Sequence, residues 1–178
     1  MAQAKRKKRM FNIDLPLIRK TTQLIGYEPK DLDGKSILYD LTRMLKGKGA
    51  IIRFKLKVED DKGTVKANQF RLMPYYMKRV VRKGTDYVEE SFTAKCEDGE
   101  IRIKPLLVTR RKVSRAVKKA LREKTKEEIT TWAENKNSQT LFEEILKNKF
   151  QKELSLKLKK IYPLSVCEIR MLEVTKFN

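Results

Sequence analysis

Histidine is absent from this 178-residue chain. Its absence removes the Ser-His and Cys-His nucleophile pairs, and with them the commonest transition-metal ligand. Cysteine occurs only at Cys96 and Cys167, without CxxC spacing. Two isolated thiols in apparent strands read as buried, reduced side chains rather than a disulfide or a metal site, and they point to a reducing compartment. No apolar run approaches the length of a membrane span. The opening "MAQAKRKKRMF" carries bases but lacks the apolar stretch of a secretory signal. These absences predict a cytoplasmic protein with no catalytic site, no metal, no cofactor and no membrane partner. Negative charge is also scarce: 23 Asp and Glu stand against 43 Lys and Arg, a formal net charge of +20. Such an excess opposes compaction through self-repulsion unless an anionic partner neutralises it. Nucleic acid is the first candidate partner and an anionic membrane surface a distant second.

The length suits one compact domain with a hydrophobic core plus an appendage. Residues 1–9 form the appendage. Lys5, Arg6, Lys7, Lys8 and Arg9 are consecutive and have no apolar anchor, so the segment reads as a disordered basic arm. Residues 10–178 read as a single α+β domain. A short strand is expected at "MFNIDLP", and "GYEPKDLDG" reads as a loop. Between 36 and 109 the dominant period is two. "IIRFKLKV" places Ile52, Phe54, Leu56 and Val58 on one face and Arg53, Lys55 and Lys57 on the other, which predicts a half-buried strand with a basic outer face. "VEESFTAKC" and "EIRIKPLLV" make a second hairpin through Asp98-Gly99. Between the hairpins, "PYYMKRVVRKG" predicts a short inserted helix, with Pro74 in its first turn and Gly84 just past its end.

After Thr109 the period lengthens. Val113, Ala116, Val117, Ala120 and Leu121 recur at three and four, as an amphipathic helix requires. Ile129, Trp132 and Ala133 either continue that stripe or restart it after a capping box at Thr125 and Glu128. A further helical stretch runs from Leu141 to Ile161 and stops at Pro163. "SVCEIRMLEV" then alternates Cys167, Ile169 and Met171 as a closing strand. The expectation is a mostly antiparallel, barrel-like sheet, with C-terminal amphipathic helices as an excursion over about 110–162.

Enzyme motifs fail on inspection. "LDGKS" resembles the end of a phosphate-binding loop, but Pro29 stands where that loop needs glycine. Acidic pairs such as Glu127-Glu128 and Glu143-Glu144 sit among lysines at helical spacing, as ordinary surface ion pairs do. The basic features are more informative. From Arg110 to Lys126 there are nine Lys or Arg and one acid, Glu123. Arg110, Arg111, Lys112, Arg115, Lys118, Lys119 and Arg122 flank or oppose the apolar stripe. A merely solvated helix face normally mixes signs to gain ion pairs, and this one does not, so it reads as RNA-facing. The second feature is "RVVRKGTDYVEE" at 79–90. Arg79, Arg82 and Lys83 precede Gly84, which permits close backbone approach, and Thr85, which offers an amide and a hydroxyl to a phosphate oxygen. A helix C-terminus also attracts cations through its dipole, so composition alone leaves both uses open there.

The order of these motifs resembles one ribosomal family. "RVVRKGTDYVEE" (79–90), "DGEIRIKPLLVTRRKVSRAVKKALRE" (98–123) and "LKLKKIYPLSVCEIRMLEV" (156–174) are similar to segments of the archaeal and eukaryotic small-subunit ribosomal protein eS-one, older name S-three-Ae. "KKIYPL…EIR" is the most specific of them. Met10-Phe11 stands where the family usually carries a Trp-Tyr pair, and the long C-terminal extension of eukaryotic members is missing, as in a short archaeal-like member. The resemblance implies a structural, non-enzymatic component of the small ribosomal subunit, built around a β-barrel with flanking helices. It further implies a place on the platform near the mRNA exit side, with small-subunit rRNA near its 3′ end, neighbouring small-subunit proteins and mRNA as candidate partners. On that basis "RKGT" becomes an rRNA-contacting corner. A free-standing RNA chaperone or regulatory RNA-binding protein using the same basic faces is the alternative.

Overall fold

The structure is a computed structural model and describes residues 7–59 and 62–177. Strand β1 (Arg9–Leu15) pairs antiparallel with β2 (Lys20–Gly26) as a separate two-stranded sheet, turning Ile13 and Leu15 into the core. A 3-10 turn at Pro29–Leu32 follows and buries Leu32. Strand β2 and this turn fall where the sequence pattern predicts no regular structure. Strands β3 (Ser36–Asp40), β4 (Ala50–Glu59) and β5 (Lys62–Leu72) then form an antiparallel meander. Ile52, Phe54 and Leu56 are buried as their alternation predicts, and Val58 packs against the same core.

Helix α1 (Pro74–Val80) is shorter than its sequence suggests. Its cap residue Val81 is already extended, so Arg82, Lys83 and Gly84 belong to a separate turn, in which Gly84 adopts φ +83°. The segment expected as one strand at 88–96 is two, β6 (Tyr87–Glu89) and β7 (Phe92–Cys96), both paired to β8 (Gly99–Thr109). The gap between them faces Pro105, which has no N–H to offer a partner, so the ladder breaks there. The β7–β8 loop consists of Glu97 and Asp98, with Gly99 already opposite Cys96.

Three helices follow: α2 (Arg115–Glu134), α3 (Ser138–Leu146) and α4 (Lys149–Leu158). Helix α2 is unbroken through Thr125, which is buried and donates its hydroxyl to the Leu121 carbonyl at 2.6 Å, so no capping box forms there. Its inward stripe is Leu121, Thr125, Ile129, Trp132 and Ala133; the last three continue the expected stripe, which becomes fully buried only at Leu121, about two turns after Val113. Ala116 is exposed, and Val113 and Val117 are half-buried. The final helical stretch divides at Asn148, whose left-handed φ of 54° separates α3 from α4.

Strand β9 (Leu164–Phe177) enters the large sheet between β5 and β8, giving the order β3-β4-β5-β9-β8-β6 with β7 also on β8. It is therefore an interior strand rather than a closing one. Across the Lys104–Pro105 step the register shifts, Lys104 facing Met171 and Pro105 facing Ile169, so Arg170 is the extra residue of a bulge. The bulge reverses the inward face: Ile169 is buried before it, and Leu172 and Val174 after it. Met171, placed on the core face by simple alternation, is consequently not part of it.

No hydrogen-bonded ladder closes the large sheet into a barrel among the described residues. The barrel-like expectation is corrected to an open sheet. Its apolar face is covered by α2 against β7 and β6, α3 against β5 and β9, and α4 against β9, which removes the need to curl. Gln139 of α3 completes β5 where β9 does not reach, accepting from Ala67 N–H and donating to Ala67 C=O, both at 3.1 Å. Leu121 is the most N-terminal fully buried anchor of α2. Leu121→Ala should cost about 2–5 kcal/mol of unfolding free energy in urea denaturation, and Val117→Ala well under half of that, because its side chain is only partly buried.

Candidate nucleic-acid interface

Two basic segments far apart in the chain meet at Asp86. The Thr109 amide donates to the Asp86 carbonyl at 2.8 Å, and the Asp86 amide donates back to Thr109 Oγ1 at 3.0 Å. The Thr109 hydroxyl proton lies within reach of the Arg111 carbonyl at 2.7 Å and the Asp86 carbonyl at 2.9 Å. The Asp86 carboxylate accepts the Val113 amide at 3.0 Å and pairs with Lys118 at 3.0 Å. These bonds hold residues 110–113 in a turn, so α2 begins at Arg115 behind an Ser114 cap rather than at 110. They also seat the 82–85 turn beside the 110–112 turn. The Val113 N–H, and after it Lys118, hold the Asp86 carboxyl below the usual carboxylate range.

Around this junction Arg82, Lys83, Arg110, Arg111, Lys112 and Arg115 are all exposed. Among the described residues no ion pair engages them. Gly84 has open space where a Cβ would stand, and its positive φ, not crowding, is what favours glycine. Thr85 differs from the sequence expectation. Its hydroxyl and its amide both donate to the Arg82 carbonyl, at 2.7 and 3.3 Å, so its donors close the turn rather than face outward. Lys118 is half-buried and committed to Asp86, so it orients the corner rather than lining it. Arg111 precedes the helix and does not share a helical stripe with Arg115 and Arg122, both of which are exposed on α2. Lys119 lies 3.8 Å from Glu123, both largely exposed.

Arg79 stands apart from the junction. It donates to the Gly47 carbonyl at 2.9 Å and lies 5.2 Å from the Tyr76 ring centre, tying α1 to the 41–49 loop. Tyr75 is half exposed and lies across Gly49, where a Cβ would come within 2.1 Å of the phenol oxygen. In the arm, Lys7, Lys8 and Arg9 are exposed, and Arg9 already opens β1 opposite Gly26. Lys8 sits 5.7 Å from the Tyr27 ring centre. Lys5 and Arg6 lie outside the described residues.

The remaining acids are deployed differently. Buried Lys48 reaches Glu168 at 2.5 Å and Asn148 at 3.0 Å, pinning the 41–49 loop to β9 and to the start of α4. Glu144 accepts from Trp132 Nε1 at 2.5 Å and Lys136 at 2.7 Å, while Trp132 stacks on Phe150 with ring centres 3.9 Å apart. Burial opposes ionisation of Glu144, but the Lys136 and Trp132 bonds outweigh it and leave its pKa lowered. Burial pushes the Cys167 thiol up to about 12 and raises Cys96 as well, so both free thiols stay protonated near neutrality. Sequence reading missed Asp86 and Thr109. The one available signal was a lone acid two residues behind "RKG", and its partners could not be inferred from spacing. Among the described residues no cluster of His, Cys, Asp or Glu could hold a metal, and no helix is long and apolar enough to cross a membrane.

The class thus defined is a strongly basic α+β protein whose unpaired cations gather where two turns are hydrogen-bonded together. The chain belongs to the Ribosomal S3Ae family, whose model matches residues 4–178. It is 29% identical over 142 residues to the small ribosomal subunit protein eS1 of Pyrobaculum neutrophilum, covering 79% of this chain and 64% of the relative. The eS1 protein of Pyrobaculum aerophilum is 30% identical with the same coverage. That of Halorubrum lacusprofundi is 26% identical over 155 residues, covering 84% of this chain and 72% of the relative. Over the Pyrobaculum relatives the match spans less than two thirds of their length.

The Asp86 junction has a pH signature. A carboxyl whose pKa is lowered by folding stabilises the folded state above its unfolded pKa and loses that contribution as pH falls through the folded value. Asp86→Asn should therefore lower the melting temperature at pH 7, and the gap to wild type should narrow as pH falls below 3.8. A gap that stayed constant down to the acid limb would show that the carboxylate charge does not hold the corner.

Proposed function

We propose that this chain is a structural component of the small ribosomal subunit that binds its rRNA through the Asp86 corner and the adjoining surface of α2. One observation carries the reading: Arg82 and Lys83 are brought beside Arg110, Arg111 and Lys112 by paired backbone and hydroxyl bonds, and all five are exposed with no ion pair engaging them among the described residues. Holding like charges together costs free energy in the isolated protein, and a folded RNA backbone removes that cost while releasing its counterions. Membership in a ribosomal family supplies the class of partner.

The corner reads shape and phosphate rather than base sequence. Arg115, Lys119 and Arg122 extend it along α2, and Asp86 and Lys118 orient it from behind. Gly84 gives the turn its backbone geometry, and Thr85 closes it. Arg79 joins the site only through the 41–49 loop it holds. The basic arm, with Lys7, Lys8 and Arg9 exposed at the entry to β1, adds phosphate contacts away from the corner. Location on the platform near the mRNA exit side, the 3′ region of the rRNA, neighbouring small-subunit proteins, mRNA and a cytoplasmic setting are the finer parts of the proposal. They rest on the likeness of the 79–90, 98–123 and 156–174 segments to the family.

Two measurements test it. Affinity for small-subunit rRNA should fall by roughly 0.7–0.9 log unit per log unit of salt for each phosphate neutralised, so a slope near zero contradicts a phosphate-based site. Replacing Arg82, Lys83, Arg111 and Arg115 by Gln should leave the melting temperature unchanged or slightly higher, since repulsion is relieved, while binding weakens by at least about tenfold and the salt slope becomes shallower. In cells, the wild-type chain should sediment stoichiometrically with the small-subunit peak. Sedimentation mainly outside that peak would favour a free-standing RNA chaperone instead.

A further inference from the structure

The large sheet has a second basic face, on the side away from the helices. Ile101 and Ile103 of β8 and Leu172 and Val174 of β9 enter the core shared with α2, α3 and α4. Strand alternation therefore turns Arg102, Lys104, Met171 and Glu173 outward. On β4 and β5 the buried residues Ile52, Phe54, Leu56, Phe70 and Leu72 leave Arg53, Lys55, Lys66 and Arg71 on that same outer side.

Register aligns these residues in rows across the sheet. Lys55 stands directly opposite Lys66. Arg53 faces Gln69, Gln69 faces Glu173, and Glu173 faces Arg102. Arg71 faces Met171, which faces Lys104. Glu173 is the acid within these rows from β4 to β8, and it accepts from Gln69 Nε2 at 3.1 Å. Among the described residues no ion pair engages Lys55, Lys66, Arg71 or Lys104. Like charges directly opposite on an antiparallel pair are destabilising, and an outer face that meets only water relieves them by alternating sign across strands. The α2–α3–α4 layer does alternate, through the Lys124–Glu127, Lys157–Glu128, Lys147–Glu143 and Lys136–Glu144 pairs. On the outer face Glu173 opposes Arg102 and Glu100 stands between Lys95 and Lys176, but Lys55 faces Lys66, and Arg71 and Lys104 face Met171, with no acid directly across from them.

We propose that the outer face of the β4-β5-β9-β8 sheet is a second RNA-backbone contact surface, and that the protein bridges two separate RNA segments. This rests on the corner's reading as an RNA site and extends it. Helix α2, which carries one basic surface, lies on one side of the sheet, and the rows of Arg53, Lys55, Lys66, Arg71, Arg102 and Lys104 lie on the other. A helix layer about 10 Å across and the sheet itself separate the two surfaces. A stiff A-form duplex meets one side at a time, so occupancy of both requires two segments.

The test counts RNA on the full chain. A short RNA duplex is titrated into wild-type protein at low salt, and the stoichiometry is read by analytical ultracentrifugation, with dye-labelled duplexes reporting bridging by energy transfer. Wild type should bind two duplexes per chain and show transfer between them. The quadruple variant Lys55→Gln, Lys66→Gln, Arg71→Gln and Arg102→Gln should bind one, without transfer and with no loss of melting temperature. The corner variant should also bind one, and the two combined should keep only weak binding through the remaining bases, with no defined stoichiometry. Wild type binding a single duplex, or the sheet variant still binding two, overturns the second surface and leaves the corner intact. A corner variant that keeps both duplexes overturns the corner instead. The wild-type stoichiometry needs no substitution, so a misfolded variant does not leave the question open.

Discussion

A net charge of +20 on a chain this size sets the terms for everything else in the fold. Several acids beside the packed core are engaged with cations. Glu168 neutralises the buried Lys48, Glu89 meets Arg170 at the β9 bulge, and Glu128 is held ionised by Lys157 and Lys124 between α2 and α4. Glu144 fixes Trp132 and Lys136 in one contact. With these acids used in this way, and Lys118 paired with Asp86, the bases Arg82, Lys83, Arg110, Arg111 and Lys112 of the corner and Lys55, Lys66, Arg71 and Lys104 of the outer sheet face are engaged by no ion pair among the described residues. Their location therefore follows from the packing of the interior, although their use depends on what lies outside the protein.

Asp86 is the exception that turns this distribution into a site. Its carboxylate is committed to an amide at the start of α2 and to Lys118, and neither bond cancels the guanidinium groups around it. The acid supplies geometry to the corner while leaving it positively charged. A lysine–carboxylate pair facing solvent contributes little by itself. Here the Val113 bond and the Thr109 bonds act on the same few residues, and together they determine where α2 begins.

Period-two and period-three-to-four patterns made most of the architecture legible from the sequence. Ile52, Phe54 and Leu56 went inward as read, Leu121 belongs to the expected helix, and the strand after Pro163 joins the sheet. The misreadings share a cause. Local pattern does not register an event on a partner strand or across a turn. Pro105 on β8 divided the strand at 88–96, the bulge at Arg170 reversed the face of β9, and the Asp86 bonds delayed α2 by a turn. The barrel was expected from the number of twisted hairpins and from the family resemblance, whereas the helices that cover the sheet left its edges apart. Within the candidate site, the exposed bases were visible as composition. The inward commitment of Lys118 and Thr85 was not, because both side chains look equally available in a sequence.

The position of β9 carries a consequence for how the molecule comes into being. The β3–β5 meander and the β6–β8 group share no ladder with each other; both pair with a strand that is synthesised only after the entire helical excursion. Gln69 and Glu173, neighbours across that ladder, are separated by 104 positions in the chain. Contacts of such long sequence separation form late, because a long loop must close before any of them is rewarded. Until β9 is made, the two halves of the sheet are separate hairpin groups with open edges, and β9, which follows the whole helical excursion, is the strand that welds them.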